Sequence, residues 1–129
     1  MIGYGFTKEV DAPFNQTLEQ VTRRLSDEGF GVLTKIDVRE KFKEKLDIDF
    51  KNYVILGACN PGNAHRAILA EEDIGLLLPC NVIVYERDGR TVVSVVRPTV
   101  AMHVVDNPDL KPVAEEVEAK LESVIASIA

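Results

Sequence analysis

Two hydrophobic periods alternate along this chain, and together they predict most of its elements. Tyr4 and Phe6 alternate with small or polar residues from Gly3 to Val10, the period-2 pattern of a first strand. Past Pro13, an early helical position, the spacing lengthens. Phe14, Leu18, Val21 and Leu25 then mark one face of an amphipathic helix that Gly29 should stop.

Gly31 to Val38 predicts a second strand, followed by REKFKEKLDIDFKN, a mixed-charge stretch with Phe42 and Leu46 four residues apart. It reads as a short exposed helix, with a mobile flap carrying Phe42 and Phe50 as the alternative. The apolar run Tyr53 to Cys59 predicts a buried strand. Asn60 can then cap a helix whose first position, Pro61, lacks the N–H that would otherwise go unpaired. That helix should reach about Glu72, and Ile74 to Pro79 should form an extended apolar connection.

Cys80 to Glu86 and Thr91 to Arg97 alternate like strands around Asp88-Gly89, a dipeptide suited to a tight hairpin turn. Val100 to Val105 suggests a further strand, and Asn107-Pro108 repeats the helix-start chemistry of Asn60-Pro61. Leu110, Val113, Val117, Leu121, Val124 and Ile128 give the last helix a continuous apolar face. The fold class expected is α+β in two layers: a mainly antiparallel or mixed sheet of about five strands with helices on one face.

At 129 residues the chain has the size of one domain, with no repeat or linker to divide residues 1–129. A net charge of −6, without a basic stripe, disfavours nucleic acid. No apolar run approaches the length that spans a bilayer, and the N-terminus lacks signal-peptide character, so the cytosol is the default compartment and no membrane partner is expected. There thiols stay reduced, and two cysteines do not make a disulfide framework. No dinucleotide fingerprint, phosphate loop, nucleophile elbow or His-Glu-x-x-His element is present. No cofactor and no metal are expected. Asp47 and Asp49 read as solvated, and His103 has no special role.

The chemistry that remains lies in ILGACNPGNAHRAILAEEDIGLLLPCNVIVYE, Ile55 to Glu86. Cys59 falls where a strand ends and a helix begins, a place that favours negative charge. A buried structural thiol is the alternative. His65 lies near the first turn of that helix, and with Cys59 and Cys80 falls one ligand short of a structural zinc site. The two thiols can meet only if the segment before Cys80 returns the chain to the end of the sheet that holds Cys59. A parallel crossover would separate them.

Cys59-Asn60-Pro61, Ala64 and Ala67, and then Gly75-Leu76-Leu77-Leu78-Pro79-Cys80 leading into Val82-Ile83-Val84-Tyr85 resemble domain-of-unknown-function family 302 over nearly the whole chain. The resemblance implies a compact two-layer α+β fold assembled as a homodimer, and it implies no activity. It marks Cys59, Pro61, Pro79 and Cys80 as signature positions.

Three functions follow as expectations: a cleft near Cys59, Asn60, Pro61, His65, Pro79 and Cys80 that binds a small ligand or a partner; a thiol redox or transfer protein using Cys59 and Cys80; or a structural homodimer in which both thiols only fill space. Whether the chain is an enzyme stays open at this stage.

Overall fold

A computed structural model describes residues 2–129. Five strands form one sheet: β1 (Gly5–Val10), β2 (Gly31–Asp37), β3 (Tyr53–Cys59), β4 (Cys80–Arg87) and β5 (Arg90–Val96). Their order across the sheet is β1-β5-β4-β3-β2, and every neighbouring pair is antiparallel. The longer helices are α1 (Phe14–Asp27), α3 (Pro61–Ala70) and α5 (Leu110–Ser127); α2 (Val38–Leu46) and α4 (Pro98–Ala101) are short. The architecture is a two-layer α+β fold.

The core lies between the sheet and the layer of α1 and α5. Val54, Leu56 and Ala58 of β3, Val82 and Val84 of β4, and Val93 and Val95 of β5 point into it, every second residue as the pleat requires. Val21 and Leu25 from α1 and Leu121 from α5 meet them, all fully buried. Because β1 and β2 occupy opposite edges, α1 must cross beneath the whole sheet, and it touches β4 on the way.

Local chemistry explains several boundaries. Gly29, at φ 84°, ends α1 as expected. Asp37 closes β2 and starts α2, its carboxylate accepting the Glu40 N–H at 3.0 Å. The exposed helix predicted there is α2, and Phe42 meets Phe50 edge-on at 5.1 Å. Asp88 and Gly89 both take positive φ, 52° and 78°, which a two-residue hairpin turn of this hand demands.

Three expectations need correction. The connection from Ile74 to Pro79 is not extended: Glu72–Leu77 forms a 3₁₀ helix, and α3 ends at Ala70. Only Ile74 of that segment is fully buried while Leu76 is 87% exposed, so its apolar run never had two faces to bury. Val100 to Val105 is no strand, since β5 already has β1 and β4 on its two sides. Pro98 instead opens α4, and Glu118 of α5 accepts from the Thr99 N–H at 3.1 Å and hydroxyl at 2.6 Å. Asn107 and Pro108 stand ahead of α5 rather than at its cap: the Asn107 side-chain Oδ1 accepts the Asp109 N–H at 3.0 Å, and the helix starts at Leu110.

One close approach fixes how the chain re-enters the sheet. A Cβ at Gly57 would lie 2.7 Å from Pro79 Cγ and would also collide with the Thr34 hydroxyl. Only glycine lets Pro79 seat there, one residue before β4 begins. Gly57→Ala should therefore destabilise the protein by about 1–3 kcal/mol through overpacking. Urea unfolding at equilibrium measures this; a change below about 0.5 kcal/mol would show that Pro79 moves freely.

Candidate functional site

The question of direction has a structural answer. Because β3 and β4 are antiparallel, Ala58 pairs with Cys80, and Cys59 and Cys80 lie at the same end of the sheet. Cys59 comes one residue after Ala58, so the two cysteines form a diagonal pair rather than a facing one. Residues offset by one point to opposite faces of a pleat, which works against a direct bridge. Both thiols are free, Cys59 partly exposed and Cys80 buried.

Asn60 caps α3 as its sequence position predicts: its side-chain oxygen accepts the Asn63 N–H at 3.4 Å, and its carbonyl accepts the Ala64 N–H at 2.9 Å. Pro61 holds the first helical position but lies on the exposed side. His65 is exposed too, so it joins neither thiol. Among the described residues no three metal-ligating side chains gather anywhere.

Four of the six expected site residues, Cys59, Asn60, Pro79 and Cys80, line one small void of about 30 Å³. Its other walls are apolar, from Phe30, Ala64, Ala67, Leu78, Val113 and Val117 among others, so α3, α5 and the segment entering β4 all contribute. Burial pushes the Cys80 thiol up to about 11, and the neighbouring Cys59 adds to the rise. Cys80 is thus held as a neutral thiol and acts as a wall.

The residue that sequence reasoning missed is Asn63. It lines the void at 6% exposure, and its Nδ2 is buried with no hydrogen-bond partner. Its orientation is fixed because Arg66 donates to Oδ1 at 3.3 Å, so the amide cannot turn over without setting two donors face to face. The third helical residue after a cap is ordinarily a solvated position. Here α5 packs on α3 and encloses it.

The model of the family described as "Domain of unknown function DUF302" matches residues 6–128. The chain belongs to the DUF302 family. A crystal structure described as an uncharacterized conserved protein DUF302 from Bacillus stearothermophilus is similar at 33% identity, with a TM-score of 0.92, and the alignment covers 99% of this chain and 100% of that one. No curated protein matches. Among the described residues of this DUF302 chain, no helix is long and apolar enough to cross a membrane.

The Cys80 environment makes a prediction about pH. Its folded value lies above the ordinary 9.0, so the unfolded chain loses this proton first. The stabilising contribution is complete below about pH 9 and is lost as pH rises to about 11. In a Cys59→Ser background, which keeps the larger cause, burial, native alkylation of Cys80 should become fast only well above pH 9, whereas the unfolded chain should react near pH 9. Equal rates for the two states across that window would show that the thiol is not buried as described.

Proposed function

We propose that this DUF302 domain is a binding module for a small ligand, seated where the first turn of α3, the Pro79–Cys80 entry and α5 meet. The observation that carries the reading is the Asn63 amide. A buried donor without an acceptor costs about 1–3 kcal/mol, and proteins seldom keep one without use. The void beside it is apolar on nearly every side, so the ligand's recognition is simple: a hydrogen-bond acceptor for Nδ2 and otherwise apolar substance. Cys59 and Cys80 serve as small, soft walls.

Thiol redox chemistry fits this geometry less well. A resolving Cys80 would need its thiolate, and burial keeps that form scarce at neutral pH.

The homodimer that the family resemblance implies finds support on the opposite face of the sheet. Tyr53 and Tyr85 stack there at 5.2 Å across β3 and β4, beside Ile83 and Ser94, around a hollow of about 660 Å³. Exposed Tyr4 and Ile2 continue the apolar surface at the edge. The face carries charges of both signs, Arg87 and Lys51 against Glu9, so two copies turned face to face need not repel. Sedimentation should give a dimer at micromolar concentration, and Tyr85→Glu should give a monomer; a wild-type monomer at about 100 μM would exclude this pairing.

Asn63 supplies the test of the ligand site. Asn63→Leu removes the orphan donor and should leave the melting temperature equal or higher. Short ketones, amides and carboxylates screened by NMR should shift the Asn63 side-chain amide of the wild type and bind the variant at least 10-fold more weakly. Failure of every probe to move that amide, or equal binding to Asn63→Leu, would overturn the reading.

A further inference from the structure

The void beside Asn63 has two solvent-open neighbours. One, of about 280 Å³, is lined by Leu76, Leu77, Val96 and Pro98 and shares Leu78, Pro79, Cys80 and Met102 with the void. The other, of about 650 Å³, runs along α5 past His103 and Lys111 and shares Met102 and Ala114. Met102 is therefore a wall of all three spaces.

Among the four walls shared with the Leu76 hollow, Pro79 is seated against Gly57 and Cys80 pairs with Ala58 of β3, which leaves Leu78 and Met102. Met102 belongs to neither the sheet nor a long helix: it opens a three-residue 3₁₀ turn, Met102–Val104, and is 9% exposed. An unbranched side chain with three rotatable bonds can change rotamer at small cost. Because Met102 lines both spaces, a turn of its side chain would bring the void and the Leu76 hollow together. The combined space would have the Asn63 donor at one end and the exposed Leu76 at the other.

Resting on the binding reading above, we propose that the ligand is an unbranched aliphatic chain ending in a neutral carbonyl, such as a ketone, ester or amide, and that Met102 is the gate through which it enters. The carbonyl oxygen accepts from Asn63 Nδ2, and the chain lies along Leu78 and Leu77 toward Leu76. A neutral head group suits the Asn63 end better than a carboxylate. The walls there are apolar, the Asn63 N–H is already bonded to Asn60, and Arg66 is already paired with Glu116. A buried charge would lack a counter-ion.

NMR titration with 2-octanone, 2-butanone and octanoate at pH 7 tests this on three points. 2-Octanone should shift both the Asn63 side-chain amide and the Met102 methyl, and should bind at least 10-fold more tightly than octanoate. Leu76→Asp, at an exposed position that leaves folding intact, should weaken 2-octanone about 10-fold and leave the 2-butanone shift of Asn63 unchanged. Met102→Leu keeps the volume but stiffens the gate, and should slow 2-octanone binding at least 5-fold. Equal binding of 2-octanone and 2-butanone, or no effect of either variant, would overturn the gate and chain while leaving the Asn63 site standing. Tighter octanoate binding would overturn the neutral head group. No shift of the Asn63 amide with any ketone would remove the underlying site itself.

Discussion

The structure depends on how β3 returns to β4. A helix between two strands commonly delivers the chain to a parallel neighbour, but here α3 and its 3₁₀ continuation deliver it to an antiparallel one. The fit of Pro79 over Gly57 secures that return, because only an absent side chain leaves room for the proline ring. From this follow the pairing of Ala58 with Cys80, the meeting of both cysteines at one end of the sheet, and the enclosure of the void between α3 and α5. If β4 ran the other way, Pro79 and Cys80 would enter it at the end of the sheet far from Cys59.

That arrangement leaves the interior uneven in polarity. Other buried polar side chains have partners: Thr17 donates to backbone carbonyls, Thr91 donates to Ala12, and Ser94 meets Thr7; among the described residues only Arg97 Nε shares with Asn63 Nδ2 the lack of one. Asn63 is satisfied on only one side, through Arg66 and beyond it Glu116. The Arg66 guanidinium also draws electron density from the amide oxygen, which makes the free N–H a stronger donor. On the proposed binding reading, the group whose burial costs stability is also the one that would hold an acceptor.

The sequence revealed the strands and long helices well, because their apolar periods face a single core and their ends carry residues with one conformational meaning, as at Gly29, Asn60-Pro61 and Asp88-Gly89. It misled where an apolar run served no regular face. Residues 74–79 and 100–105 are rich in apolar side chains, yet the strands they adjoin, β4 and β5, are already paired on both sides, and both segments coil into tight turns. At the site, Cys59, Asn60, Pro79 and Cys80 stood out by composition and do come together, while His65 and Pro61 face outward. Asn63 gave no signal, since its burial is created by α5, nearly fifty residues further along the chain. The weak hint available was an asparagine in the line of alanines that α3 turns inward.

The edge strands carry a consequence for the order in which the molecule assembles. β1 leaves the ribosome first but pairs only with β5, Gly5 against Val96, so it must wait for most of the chain before it has a partner. β2 and β3, by contrast, can pair as soon as both have emerged. α5 follows every strand of the sheet and closes the far wall of the void. Until β5 and α5 emerge, the chain has β1 unpaired and the α5 side of the helical face uncovered, the condition in which strand edges recruit unwanted neighbours. The mixed charges of α2, beside the strands that pair first, give that early hairpin a soluble flank while it waits.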